Sequence, residues 1–162
     1  METKKVWAAK GIRPIRIVSG YHGKTIVFGA ISLDGRQFFR QYDVFNGETF
    51  LDYLKKLHRH YGKLYLFMDR AKQHYNTDIV TEYLKANRKT LRVRWIPTAS
   101  PEFNMLEECW REGEKDLCRS PVFPLKIGDL KSILARYYRT RRFSSHLDMK
   151  RFLLTKRGFT DL

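Results

Sequence analysis

The chain has 162 residues, the size of a single domain that can bury a core without cross-links. Hydrophobic residues at 43% and aromatic residues at 14% support such a core, despite a charged fraction of 30%. The formal net charge is +15, so nucleic acid is the leading candidate partner. A basic surface without a specific partner and an anionic membrane surface are the alternatives.

No apolar run reaches the ~18 residues of a membrane span, and the N-terminus carries no signal-peptide core. Cys109 and Cys118 are the only cysteines, and both fall on one predicted helix that holds them apart. We therefore expect two reduced thiols in a cytoplasmic, nucleoid-associated protein with no membrane partner.

The first third of the chain predicts β-strands. Residues 13–18 alternate between polar and apolar side chains, and residues 24–33 form a stronger strand pattern. Asp34 and Gly35 favour a tight hairpin turn, after which residues 36–44 return as an antiparallel partner.

The pattern then changes to the helical period. Asn46 can cap a helix that Gly62 ends, and four apolar residues fall on one face of it: Phe50, Leu51, Leu54 and Leu57. Residues 63–68 form a continuous apolar run, which is typical of a strand covered on both faces.

A second helix and another strand follow. Residues 77–86 have the helical period, and four of their side chains should point inward: Ile79, Val80, Tyr83 and Leu84. Residues 91–96 predict a strand that Pro97 stops.

The last predicted elements are helices. The helix over residues 104–118 should face inward through three side chains: Leu106, Trp110 and Leu117. Residues 127–138 and 147–154 predict two more helices that are rich in Arg and Lys. This order of elements predicts an α/β fold with a mixed sheet flanked by helices.

We divide the chain into a domain over residues 1–118 and a basic helical extension, packed on it, over residues 119–162. The extension holds eleven basic and three acidic residues, a net charge of +8, which is over half of the total excess. If these cations contact phosphates, binding should weaken steeply as salt rises.

Two carboxylates are placed where an α/β protein would hold a metal. Asp69 follows the predicted strand at residues 63–68, and Glu107 lies near the start of the next long helix. Functional groups of open α/β sheets gather beyond the carboxyl ends of strands. Hard divalent ions prefer oxygen ligands and can activate phosphodiester chemistry. The pair therefore predicts a metal site for cutting or joining nucleic acid.

Each acid also has a purely structural interpretation. Asp69 could form a turn or cap a helix, and Glu107 could complete a capping box with Asn104. Glu102 could add an oxygen ligand from the preceding turn. His74 could support the loop after Asp69, lie near the phosphate, or be a partly buried structural histidine.

These motifs resemble the catalytic domain of the DDE transposases, in the mariner-like superfamily and its bacterial and archaeal insertion-sequence branch. The family's Asp-Asn-Ala, followed by a His, matches residues 69–71 and His74. Its Pro-Pro-Tyr-Ser-Pro-Glu-Leu-Asn-Pro-Ile-Glu, followed by a Trp, matches residues 97–107 and Trp110.

The spacing and extent of the match agree with this resemblance. Asp69 and Glu107 are separated by 37 residues, near the spacing typical of the superfamily. Residues 7–11 and 27–30 also look like this group, so the resemblance covers roughly residues 5–117.

The resemblance implies an RNase H-like (integrase-type) fold, dependence on Mg²⁺ or Mn²⁺, and DNA cleavage and strand transfer during transposition. Asp69 and Glu107 would take the second and third catalytic positions and bind the metal.

The sequence also departs from the family pattern. The family's first catalytic Asp precedes the segment that matches Trp7, and Glu2, the only acid there, does not match it. Arg70 and Met105 replace a family Asn and Pro. We therefore expect a chain truncated at the N-terminus, with its first strand incomplete or missing, weak metal binding, and impaired or absent activity alone.

Two other functions remain open. One is a catalytically incomplete RNase H-like module that binds DNA or a partner, and the other is a different RNase H-like nuclease with its own third acid. An open sheet edge would favour a homodimer or pairing with another transposase subunit.

DNA is the expected partner of basic residues near the two acids and in the C-terminal extension. They are Arg70, Lys72, Arg119, Arg136, Arg139, Arg141 and Arg142.

Overall fold

The computed structural model describes residues 23–69, 77–96, 104–118 and 126–144. In chain order they form β1 (Ile26–Ile31), β2 (Gln37–Tyr42), α1 (Gly47–Tyr61), β3 (Leu64–Met68), α2 (Asp78–Ala86), β4 (Leu91–Trp95), α3 (Met105–Cys118) and α4 (Ile127–Thr140). The fold is mixed α/β and is consistent with an RNase H-like DDE domain. The strand expected at residues 13–18 and the helix expected at residues 147–154 lie outside the described ranges.

The predicted hairpin is confirmed. β1 and β2 are antiparallel, with Ile26 opposite Tyr42 and Ile31 opposite Gln37. The turn between them contains Gly35, whose φ of 84° lies in the left-handed region that glycine adopts without strain.

The second pair of strands is parallel. Leu64 of β3 lies opposite Leu91 of β4, and Met68 lies opposite Trp95. The described strands form two separate two-stranded sheets, because β1 is hydrogen-bonded to β2 and β3 to β4. The expected mixed sheet is therefore divided within the part of the chain that the structure describes.

Helix α1 begins and ends where the sequence predicts. The side-chain oxygen of Asn46 accepts a hydrogen bond from the Thr49 backbone N–H at 2.9 Å, and the Thr49 hydroxyl accepts one from the Asn46 N–H at 3.2 Å. This is a reciprocal capping box. At the other end, Gly62 adopts a φ of 72°, and its N–H donates to the His58 carbonyl at 2.8 Å.

One hydrophobic cluster joins α1 to both sheets. Its buried members come from β1, β2, α1, β3, α2 and β4: Phe28, Phe38, Phe50, Tyr53, Leu54, Leu57, Met68, Val80 and Leu91. Helix α1 therefore lies beneath both strand pairs.

A second cluster covers the opposite face of β1 and β2. Its buried members are Ile31, Cys109, Tyr138 and Phe143, and Phe39, Leu106 and Trp110 pack against them. Helices α3 and α4 thus lie on the side of the hairpin that faces away from α1. Cys109 is buried, and its Sγ donates to the Met105 carbonyl at 3.4 Å.

Two burial predictions are wrong. The apolar run at residues 63–68 is covered on one face rather than two, since Tyr65 and Phe67 are each 55% exposed. Ile79 was expected to point inward but is 40% exposed, because Val80 takes the fully buried position of α2.

Candidate metal and nucleic-acid site

Asp69 stands at the carboxyl end of β3, directly after Met68. Leu66 and Met68 belong to the cluster around α1. Because side chains alternate along a strand, Phe67 and Asp69 are placed on the other side. Asp69 is exposed, which agrees with that placement.

Glu107 lies in the first turn of α3 and is exposed. Its neighbour Leu106 fixes the start of this helix against β1. The Leu106 Cδ2 atom lies 3.1 Å from the point that a Cβ on Gly29 would occupy. The close approach of helix and strand holds the Glu107 backbone in place above β1.

Asn104 caps α3 in a way that differs from a reciprocal capping box. Its side-chain oxygen accepts a hydrogen bond from the Leu106 N–H at 3.2 Å, and its amide nitrogen lies 3.5 Å from Glu107 Oε1. Within the described segments, the Glu107 carboxylate makes no hydrogen bond to the Asn104 backbone N–H. The carboxylate therefore stays at the surface, with only a weak contact to Asn104.

Each acid lies in an element placed away from α1 on its own strand pair. Helix α3 contacts the face of β1 opposite α1, and alternation places Asp69 on the face of β3 that also points away from α1. Glu102 and His74 lie outside the described residues. Within the described ranges, no group of three or more His, Cys, Asp or Glu residues could hold a metal ion.

The candidate DNA-binding arginines at and just beyond the end of α4 fall into two kinds. Arg136, Arg139 and Arg142 are exposed, and none makes an ion pair within the described parts of the chain. The Arg141 guanidinium instead donates to Glu112 at 2.9 Å and lies 3.9 Å from Asp116. The hydrogen bond to Glu112 raises the pKa of Arg141.

The remaining basic candidates, Arg70, Lys72 and Arg119, lie outside the described residues. None of the described helices is long and apolar enough to cross a membrane.

Sequence reasoning missed an exposed face of β3 and β4. Tyr65 lies opposite Arg92 and Phe67 opposite Arg94, and all four side chains are exposed. The alternation of basic and apolar residues over residues 91–95 could have revealed it, because that pattern predicts a strand with one face in solvent.

A cleft lies at the other end of β3, away from Asp69. It is lined by Lys55, His58, Arg59, Gly62 and Tyr83. His58 Nδ1 lies 2.9 Å from the Tyr83 hydroxyl, and Nε2 lies 3.0 Å from the Thr90 hydroxyl. These hydrogen bonds give His58 a structural role between α1 and α2.

An α/β body with exposed acids after β3 and at the start of α3, in a strongly basic chain, is typical of RNase H-like nucleases. The family model described as the DDE superfamily endonuclease matches residues 1–124, and the chain belongs to this family. No curated protein and no solved structure matches the chain. Endonucleases of this superfamily act on DNA and generally use divalent metal ions.

Proposed function

We propose that this chain is a transposase catalytic domain of the mariner-like branch, with Asp69 and Glu107 as metal ligands. The observation that carries the proposal is the position of the two acids. Asp69 follows β3 and Glu107 lies in the first turn of α3, and each of these positions faces away from α1 on its own strand pair. Family membership supports phosphodiester chemistry at that position.

The donor set suits Mg²⁺ or Mn²⁺. Exposed carboxylates of Asp69 and Glu107 offer hard oxygen ligands, and Mg²⁺ is commonly held by one or two carboxylates together with waters and substrate phosphates. When bound, such an ion polarises a phosphoryl oxygen and makes an attacking water or hydroxyl a better nucleophile.

The cations at the end of α4 would position the DNA. Arg136, Arg139 and Arg142 are exposed and can each contact a phosphate without reading a base. Arg141 adds positive charge at the same end of α4, and its ion pair with Glu112 links that end to α3. Arg70, Lys72 and Arg119 complete the proposed basic set.

A second candidate function is a catalytically incomplete module that binds DNA or a partner subunit. The described site residues include two acids rather than three. Within the described residues, β1 and β3 each pair with another strand along one edge only. A strand edge without a neighbour can accept a strand from a second copy or from another transposase subunit.

An Mn²⁺-dependent nicking assay on supercoiled duplex DNA tests the proposal. Wild type is compared with Asp69→Asn and Glu107→Gln, which keep side-chain size but remove the charge. Glu108→Gln is the matched control, because Glu108 is adjacent in sequence and forms an ion pair with Arg111 at 2.8 Å.

We expect each ligand variant to lose cleavage by about 10³-fold, as is ordinary when a charged ligand is removed from such a site. Glu108→Gln should cleave like wild type. Full activity of Asp69→Asn would contradict the proposal. Salt-sensitive DNA binding by wild type without any cleavage would favour the binding module.

A further inference from the structure

The outward face of β3 and β4 carries two aromatic rings and two guanidinium groups. The parallel register sets Tyr65 opposite Arg92 and Phe67 opposite Arg94. The two rings are half-exposed, and the arginines are exposed as well. Exposed aromatic rings beside cationic side chains can serve as an interaction surface.

We propose that this face binds unpaired nucleotides, whose bases stack on Phe67 and Tyr65 while Arg92 and Arg94 contact the phosphates. Aromatic side chains on an open sheet stack bases with little regard to sequence. Arg92 and Arg94 on the same surface supply positive charge along the sugar-phosphate backbone of the nucleic acid.

The spacing of the rings favours unpaired over paired nucleotides. Alternate residues on one strand are about 6.6 Å apart. Bases in a duplex repeat at about 3.4 Å and cover one another's faces. Only bases that have left the duplex stack can therefore lie flat on Tyr65 and Phe67.

Arg92 is already held in place by Tyr65. Its Nη1 donates to the Tyr65 hydroxyl at 3.1 Å, and its Cζ lies 5.6 Å from the centre of the Tyr65 ring. A guanidinium held in this way loses less conformational freedom when a phosphate binds. Its other N–H groups remain able to donate to that phosphate.

Charge favours nucleic acid over a second copy of the chain. The four side chains of the face carry two positive charges and no negative charge. A symmetric dimer through this face would bring four arginines together, in a chain of net charge +15. A nucleic-acid strand instead brings one negative charge per nucleotide.

The face leads toward Asp69. Phe67 and Asp69 are alternate residues at the end of β3, so both point to the same side. The role of Asp69 in this inference rests on the proposed function. The inference predicts a DNA substrate that has unpaired nucleotides next to the cleaved bond. The binding itself can be measured without cleavage.

The test is fluorescence anisotropy with a labelled oligo-dT strand and with a labelled duplex, without divalent metal. Phe67→Leu and Tyr65→Leu keep apolar bulk but remove the rings. Phe45→Leu is the control, because Phe45 is partly exposed but packs against Phe28 of β1 and belongs to neither β3 nor β4. Melting temperatures establish that each variant is folded.

Each ring variant should bind the single strand roughly tenfold more weakly, as expected when one base loses its stacking partner. Duplex affinity should not change, and Phe45→Leu should match wild type. Arg94→Gln should reduce the slope of log affinity against log salt by about one.

Three outcomes would overturn the inference. The first is unchanged single-strand affinity in both ring variants, and the second is an equal loss of affinity for duplex. The third is a wild-type dimer that Phe67→Leu converts to a monomer in light scattering, which would show that the face binds a second copy of the chain.

Asp69→Asn separates this inference from the proposed function. Single-strand binding that depends on the rings but is never accompanied by cleavage would support the nucleotide-binding face and count against the proposed nuclease function. Cleavage that depends on Asp69, with ring variants that bind the single strand like wild type, would support the nuclease function and contradict the nucleotide-binding face.

Discussion

The hydroxyl oxygen of Tyr138 lies 2.7 Å from the point that a Cβ on Gly113 would occupy. Helix α4 thus approaches α3 at a residue without a side chain. The Tyr138 ring stacks on Phe39 with their centres 4.8 Å apart, and Trp110 meets it edge-on at 5.5 Å. The ring is enclosed, so it has little room to move away from a larger residue.

Gly113→Ala should therefore destabilise the protein, although alanine is the better helix former by about 1 kcal/mol. The new methyl group would overlap the Tyr138 hydroxyl, and overpacking of this kind costs about 1–3 kcal/mol. The free energy of unfolding from urea titration measures the net loss.

Tyr138→Phe supplies the internal control, since it removes the clashing oxygen. In that background Gly113→Ala should be neutral or stabilising. Gly128→Ala should also be neutral or stabilising, because nothing lies within 4 Å of its Cβ position. The same loss from Gly113→Ala in both backgrounds would refute the clash.

Gly29→Ala should lower both stability and DNA cleavage. A Cβ there would lie 2.5 Å from Phe39 Cε1 and 3.1 Å from Leu106 Cδ2. Relief of the clash would push the start of α3, and Glu107 with it, away from β1. We expect a loss of about 1–3 kcal/mol in unfolding free energy, together with slower nicking.

The two readouts distinguish packing from chemistry. Phe39→Leu should make the Gly29→Ala change less costly, because the rigid ring is gone, and a double-mutant cycle measures this coupling. Cleavage at the wild-type rate by folded Gly29→Ala would show that the position of Glu107 does not depend on this contact.

Asn46→Ala should destabilise α1 by about 1 kcal/mol, because the Thr49 N–H loses its acceptor. Asn46→Asp keeps a side-chain oxygen at the cap and should be close to wild type. Thermal unfolding followed by circular dichroism measures both. Equal melting temperatures for Asn46→Ala and Asn46→Asp would mean that the cap contributes little.

Stability should fall between about pH 10 and pH 12, partly through Tyr138. Burial raises the pKa of Tyr138 to about 12, from about 10 in the unfolded chain. The unfolded state then releases a proton that the folded state keeps. The contribution is fully present below pH 10 and is lost as the pH rises toward 12.

Tyr138→Phe removes this contribution. Its unfolding free energy should decline with pH less steeply than that of wild type, by at most about 1.4 kcal/mol per pH unit. Urea titrations across this pH range measure the two slopes. Parallel slopes would show that the Tyr138 pKa is the same in both states.

Local signals made most of the fold predictable. Asp34 and Gly35 fix the hairpin turn. Asn46 caps the start of α1 and Gly62 ends it, each through hydrogen bonds to residues nearby in sequence. Such features depend on a few neighbouring residues, so they can be recognised without knowledge of tertiary structure.

The exposure of Tyr65 and Phe67 was not predictable from the β3 run itself, although the alternation in β4 indicates one exposed face. Tyr65 and Phe67 are large aromatic residues within an otherwise apolar run, so the run indicates burial on both sides. The basic residues that accompany them, Arg92 and Arg94, come from a strand 27 residues later in the chain, which becomes a neighbour only through parallel pairing.

The candidate site was partly predictable. The order of strand, helix, strand and helix places Asp69 after β3 and Glu107 on α3, and the structure agrees with both positions. Their convergence on one metal ion stays a prediction, because loop paths depend on tertiary contacts rather than on local pattern.

Leu54 and Leu57 of α1 are buried in one cluster with side chains from both strand pairs. Neither pair can open without exposing this shared helix to water. The backbone amides of β2 and β4 therefore belong to one cooperative unit, and their hydrogens should exchange with deuterium at similar free energies despite lying in separate sheets.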